Sequence, residues 1–166
     1  MVHYVIDGYN YMKRTAGGDG EGPDDLEGQR RRALERLARL RGGRVRMTVV
    51  FDAYNSFSPG RQRDHYRGID VLFSRERETA DAVIIGWIRE KKAGMIVVTS
   101  DRAILDEAKR CGVPFLTPLG LEQHAVMERG TDEGSGDGEE VRRDKRGNPR
   151  KLPKKLRRVV RTLKKT

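Results

Sequence analysis

Short, nearly continuous apolar runs alternate along this chain with longer segments of helical period, and few folds satisfy that alternation. The runs are Val2 to Asp7, Arg46 to Asp52, Gly68 to Phe73, Met95 to Thr99 and Val113 to Leu116. Runs of this length, rich in Val and Ile, read as buried strands. Between the first two, Leu26, Ala33, Leu34, Leu37 and Leu40 fall largely on one face of a helix capped by Asp24 or Asp25, arginines cover the rest, and Gly42 and Gly43 stop it. Thr79 caps a second helix carrying Val83, Ile84, Trp87 and Ile88, ended by Gly94. Ser100 or Asp101 caps a shorter one with Ile104, Leu105 and Ala108, and Leu119 to Arg129 reads as the last. Strands apolar on both faces that alternate with helices predict a three-layer α/β sandwich around a central parallel sheet.

All strands of such a sheet point one way, so the residues that end them collect at one rim, where ligands of open α/β sheets bind. Here the strand ends are acidic. Asp7 closes the first strand, Asp52 the second, and Asp101 follows the fourth by one residue beyond Ser100. After the third strand, Glu78 and Asp81 flank a helix N-terminus at the same rim, and Asp106 lies further along the next helix. Converging carboxylates repel one another unless cations neutralise them. Hard oxygen ligands suit Mg²⁺ or Mn²⁺, which bind through a few carboxylates and keep waters for a substrate phosphate. Any one of these acids is as well explained as a helix cap. Asp7, Asp52 and Asp101 together at three strand ends point instead to a shared site.

Charge divides the chain. Of its 166 residues, Lys and Arg number 35 against 25 Asp and Glu, a formal net charge of +10, yet the segment 142–166 alone carries 13 of the basic residues and one acid, Asp144. The rest is close to neutral. A domain over 1–129, an acidic Gly-rich linker over 130–140 and a basic arm over 141–166 are the expected organisation, the arm flexible and able to bind a polyanion. Arg150, Lys151, Lys154, Lys155, Arg157 and Arg158 are its candidate contacts, while Leu156, Val159, Val160 and Leu163 form a helical stripe that could order on RNA or a ribosome. A solubilising tail is the plainer alternative. No apolar run is long enough to span a membrane, and the N-terminus lacks a leader pattern. The single cysteine, Cys111, permits no intrachain disulfide and no cysteine-built zinc site. A cytoplasmic protein is expected.

The motifs at the rim are distinctive in combination. Asp7-Gly8-Tyr9-Asn10, Val50-Phe51-Asp52-Ala53, Glu78-Thr79-Ala80-Asp81 and Val98-Thr99-Ser100-Asp101, in that order from about Val2 to Met127, resemble the YacP-like branch of the NYN domain family, relatives of PIN nucleases. The resemblance implies a PIN-like sheet of strand order 3-2-1-4-5, a divalent metal and endoribonuclease activity. In that branch a ribosome-associated endonuclease acts on messenger RNA in the ribosomal A site. By position, Asp7, Asp81 and Asp101 would be the principal metal ligands, and Asn10, Asp52 and Glu78 would support or position them.

Other features have plainer readings. Gly17, Gly18, Gly20 and Gly22 lack the Gly-Lys-Ser/Thr ending of a phosphate loop and read as a mobile loop. His3, His65 and His124 have no partner at metal-ligand spacing. Tyr54, Phe57 and Tyr66 interleave with Arg61, Arg63 and Arg67 in a polar segment that either stacks bases and holds phosphates or is an ordinary surface loop. Trp87 is expected in the core. Two further functions compete with metal-dependent RNA cleavage. One is a catalytically quiet RNA- or ribosome-binding module. The other is an aspartate-nucleophile phosphatase, disfavoured because Tyr9 stands where a second Asp is needed.

Overall fold

Six strands and five helices follow one another in a computed structural model that describes residues 1–15, 26–42, 45–53 and 60–130. In chain order they are β1 (Val2–Asp7), α1 (Gly8–Thr15), α2 (Leu26–Leu40), β2 (Val45–Phe51), β3 (Gln62–Tyr66), β4 (Ile69–Phe73), α3 (Ala80–Arg89), β5 (Met95–Val98), α4 (Arg102–Cys111), β6 (Phe115–Leu116) and α5 (Pro118–Gly130). They build one sheet of order β3-β4-β2-β1-β5-β6. The five expected strands stand in the expected order, β4-β2-β1-β5-β6, all parallel.

The sheet is mixed rather than purely parallel. β3 pairs antiparallel with β4 through a two-residue turn in which Arg67 (φ 45°) and Gly68 (φ 84°) are both left-handed. Positive φ at both central positions matches the right-handed twist of the flanking strands, and glycine takes it without strain. The segment expected as a polar loop around Arg61, Arg63 and Arg67 is therefore largely an edge strand. Its sequence, Gln-Arg-Asp-His-Tyr, carries no apolar alternation because most of it faces solvent. A second difference is α1, which begins directly after Asp7, where Asp-Gly-Tyr-Asn reads as a turn. On the other face of the sheet, α3 ends at Arg89 with Glu90 as its C-cap, rather than at Gly94.

Alternation along the central strands sorts side chains into two cores. Tyr4 and Ile6 of β1, with Met47, Val49 and Phe51 of β2, face α1 and α2, where they meet Tyr11, Leu34 and Leu37. Val5 and Val50 face the opposite layer and pack on Val83, Ile84 and Ile88 of α3 and Ile104 and Ala108 of α4. Each fully buried aliphatic side chain contributes about 1.5–3 kcal/mol of transfer free energy. Trp87 is only half-buried at the edge of the second core, with the Lys92 ammonium 4.7 Å from its ring centroid. By the same period of two, Asp7 lies on the α3–α4 side, two residues beyond Val5.

Candidate active site at the carboxyl edge of the sheet

Asp7 ends the central strand, is 5% exposed and is held at both oxygens. Its Oδ1 accepts from the Asn10 backbone N–H at 3.1 Å, and its Oδ2 accepts from the Thr99 hydroxyl at 2.9 Å. The Thr99 oxygen in turn accepts from the Asp101 N–H at 3.0 Å. Asn10 Oδ1 accepts from the Ser100 N–H at 2.8 Å and so ties α1 to the end of β5. Glycine is required at position 8, since a Cβ there would stand 2.3 Å from the Phe51 ring.

The other rim acids sit where helices start. Asp52 Oδ1 accepts from the Ala80 N–H at 2.6 Å, anchoring the first turn of α3. Thr79 caps that helix, its hydroxyl accepting from Ala82 N–H at 3.1 Å, and Asp81 follows in the first turn. Asp101 is the N-cap of α4, with one oxygen accepting from Ala103 and Ile104 N–H at 2.8 and 3.3 Å. Capping thus occupies one oxygen of Asp101 and leaves Oδ2 without a protein hydrogen bond among the described residues. Asp81 has no protein hydrogen bond at either oxygen among them.

These acids are close enough to feel one another. Burial raises the pKa of Asp7 above the usual carboxylate range, the Asn10 and Thr99 hydrogen bonds oppose that, and the charges of Asp81 and Asp101 add to it. Asp81 is raised as well, by desolvation and by the charges of Asp101 and Asp52. Among the described residues no Lys or Arg forms a salt bridge with any of the four.

Two further expected participants are paired with basic groups. Glu78 is gripped by Arg61, whose Nε and Nη2 donate to its two oxygens at 2.9 and 2.7 Å, and by the Arg75 N–H at 3.4 Å. The Arg61 fork holds its pKa down at about 2. Asp106 is exposed one turn into α4 and pairs with Lys109 at 3.0 Å. The pairing with Glu78 also occupies Arg61 as a candidate nucleic-acid contact. Arg63 is exposed on β3, and Arg67 lies over the Tyr66 ring at 5.7 Å. Arg150, Lys151, Lys154, Lys155, Arg157 and Arg158, like Tyr54, Phe57 and the glycine cluster at 17–22, fall outside the described residues. His3 shares a hydrogen bond with the Thr48 hydroxyl at 2.8 Å, and His65 meets Asp70 at 3.2 Å, both remote from the rim.

Two positioning residues went unassigned in the sequence reading. Thr99 links Asp7 to Asp101, and Ser74 Oγ accepts from the Ala53 N–H at 3.0 Å, fixing the turn that presents Asp52. Small hydroxyls just past strand ends were the available signal.

The donor set suits a hard divalent cation: four carboxylates, mutually repelling, with oxygens left over on Asp81 and Asp101. Among the described residues no three His, Cys, Asp or Glu side chains are grouped tightly enough to enclose an ion by themselves. Mg²⁺ seldom needs such a cage, since it binds through one or two carboxylates and retains water.

A mostly parallel sheet with acids gathered at its carboxyl edge defines an open α/β fold whose candidate site lies at the strand ends. More particularly, the chain belongs to the YacP-like NYN domain family, whose family model matches residues 4–165 and so continues through the basic arm beyond the expected limit at Met127. Among solved structures it is similar to two crystal structures of Rae1 (YacP) from Bacillus subtilis. One, of a variant in which a tryptophan is replaced by leucine, is 22% identical, covering 78% of each chain with a TM-score of 0.60. The other Rae1 structure is also 22% identical, covering 80% of this chain and 78% of that one with a TM-score of 0.57. No curated protein matches the chain.

Proposed function

We propose that the protein is an endoribonuclease that hydrolyses RNA phosphodiester bonds at the Asp7–Asp81–Asp101 rim with a bound Mg²⁺ or Mn²⁺. The observation that carries this reading is the gathering of Asp7, Asp81 and Asp101 at the carboxyl edge, where burial and then the charges of Asp81 and Asp101 raise the pKa of Asp7 and where, among the described residues, no Lys or Arg forms a salt bridge with them. Such a cluster is unfavourable for a domain that only binds RNA, because it repels phosphate.

Asp7, Asp81 and Asp101 would hold the cation, through the free oxygens of Asp81 and Asp101 and by rearrangement of one Asp7 hydrogen bond. When bound, a divalent cation lowers the pKa of a coordinated water and stabilises charge on the phosphate in an in-line displacement. Asn10 and Thr99 orient the Asp7 carboxylate, and Asp52 keeps the first turn of α3 in place so that Asp81 faces the rim. Burial of Asp7 in the sheet excludes water from one side of the site.

The basic segment 142–166 supports RNA or the ribosome as the partner it engages, and membership of the family supports messenger RNA as the substrate. No helix among the described residues is long and apolar enough to cross a membrane, consistent with the cytoplasm as the proposed location. The test is cleavage of single-stranded RNA by purified protein with Mn²⁺ or Mg²⁺, its loss in EDTA, and its loss in Asp81→Asn. Cleavage that persists in Asp81→Asn refutes the site.

A quiet RNA- or ribosome-binding module remains the second reading, favoured by the lack of a ready three-carboxylate cage among the described residues. Calorimetry separates the two: no heat of Mn²⁺ binding supports the binder.

A further inference from the structure

On the α2 side of the sheet, the face opposite Asp7, a cavity of about 560 Å³ opens between α2 and the β3–β4 hairpin, and its lining reaches Phe51 and Phe73 at the carboxyl ends of their strands. Its size falls within the range of small-molecule sites. Alternation along β3 turns Gln62, Asp64 and Tyr66 toward it, while Phe73 and Arg30 complete the inner wall. Arg30 is unusual among the arginines of α2. Its guanidinium is drawn inward, 5.5 Å from the ring centroids of Tyr9, Phe51 and Phe73, with Nη2 donating to the Tyr9 hydroxyl. Its Nε is buried and has no hydrogen-bond partner among the described residues. A buried guanidinium donor left unsatisfied is costly, and a ligand that supplies an acceptor relieves it.

The chemistry of the wall selects the ligand. Glu27 and Asp64 balance Arg30 and Arg31, so the cavity has no excess of positive charge with which to draw a phosphate. Instead it combines an apolar aromatic side with a fixed donor, a carboxylate acceptor, and the amide of Gln62 that can do either. Unpaired bases are recognised in this way, by stacking and by hydrogen bonds along one edge. Guanine alone of the four RNA bases shows a carbonyl acceptor beside two N–H donors on its pairing edge, the complement of an arginine donor and an aspartate acceptor.

Position links the cavity to the rim. Phe51 immediately precedes Asp52 and packs over Gly8 beside Asp7, and Phe73 precedes Ser74, which holds the Asp52 turn. We propose that this cavity receives one unpaired guanine of the RNA strand adjacent to the bond cut at the carboxylates, and so sets the base preference of cleavage. The placement beside the cut rests on the nuclease reading above; the base site itself does not.

The test uses the full chain in EDTA, where no cleavage occurs. GMP, AMP, CMP, UMP and ribose 5-phosphate are titrated separately, with binding followed by calorimetry and amide shifts. GMP is expected to bind at least about 10-fold tighter than the others, shifting signals of α2 and β3, because a good two-bond base contact is worth that much. Gln62→Ala and Asp64→Ala, both at exposed strand positions that leave the core intact, are expected to reduce GMP affinity about 10-fold. In cleavage with Mn²⁺ the same variants should raise KM, leave kcat, and relax the preference at one fixed position from the cut.

Equal binding of all four nucleotides, binding of ribose 5-phosphate as tight as GMP, or indifference to both variants overturns the proposal. If the wild type never cuts RNA but GMP binding behaves as expected, the base site stands and the nuclease reading falls. If RNA is cut with a base preference that neither variant alters, the nuclease reading stands and the base site falls.

Discussion

Two groups of acids on this molecule have opposite fates. On the outer surface of α3 and α4, Glu107 lies between Arg89 and Arg110, at 2.7 Å and 2.5 Å, and its pKa is pulled down to about 2. Glu78 is treated likewise by Arg61. At the carboxyl edge, Asp7 and Asp81 have no basic partner among the described residues, and burial together with the charges of neighbouring acids moves their pKa values up. In a chain with 35 Lys and Arg, the lack of a paired cation at the rim among the described residues is a selective arrangement. The fold supplies the counter-charge of the first group itself and, among the described residues, supplies none to the second.

The largest expected effect tests that division directly. Asp81→Asn should lower the rate of RNA cleavage by about 100-fold or more, the scale seen when a charge-stabilising group is removed from an active site. Glu107→Gln should change it by no more than about twofold. Comparable losses in both variants, measured as kcat/KM on one RNA, would break the comparison.

Thermal melting sharpens it next. Because the folded Asp7 binds its proton more tightly than the unfolded chain does, ionising it in the folded state is unfavourable. That penalty is absent below the unfolded value of about 3.8, grows as pH rises through the raised folded value, and persists above it. Asp7→Asn should therefore melt at a higher temperature than the wild type near pH 7 without metal. Mn²⁺ should raise the wild-type melting temperature and barely move that of the variant. A variant that melts lower, or that gains as much from Mn²⁺, contradicts the assignment of Asp7.

The paired acids are read in the acid limb, after one other group is accounted for. His3, at the opposite end of β1 from Asp7, has its pKa lowered to about 4 by burial and by Arg46. Its stabilising contribution is complete above about 6.5 and lost as pH falls toward 4. His3→Gln should flatten stability over that interval. In that background, Glu78 contributes stability above 4.5 that disappears as pH falls toward 2. Glu78→Gln should lower stability near pH 7 by about 1 kcal/mol or less, as befits a largely solvent-screened pair, and flatten the curve below pH 4.5. Denaturant unfolding across about pH 3 to 8 checks both; an unchanged curve in Glu78→Gln would mean that Arg61 gives it no net stabilisation.

Much of this was legible because strand ends mark themselves. Val2 to Asp7 and Arg46 to Asp52 announce their direction, so the standing of Asp7, Asp52 and Asp101 at one edge of the sheet follows from parallel pairing alone. Glu78 could not be separated from them in the same way. Its partner Arg61 lies 17 residues away across a strand whose polar sequence gives no sign of pairing. Arg30 was hidden for a related reason. It stands in the run Arg30-Arg31-Arg32, and nothing local says that one of the three folds inward over aromatic rings contributed by α1, β2 and β4. The helix α1 was obscured by Asp-Gly-Tyr-Asn, where turn-forming residues are used instead for close packing on Phe51 and for a side-chain bridge to Ser100.

The passage of β1 into α1 without an intervening residue leaves Asp7 no slack. Its backbone is paired with Val50 of β2, Ile6 before it is held by ladders on both sides, and the next residue must be small enough to slide beneath an aromatic ring. Asp81 and Asp101, by contrast, are carried by the first turn of α3 and the N-cap of α4. Tolerance of chain-length change should be correspondingly low at this seam: one residue inserted between Asp7 and Gly8 would leave the strand in register but push α1 along, pulling the Asn10 N–H off the Asp7 carboxylate and the Asn10 side chain off Ser100.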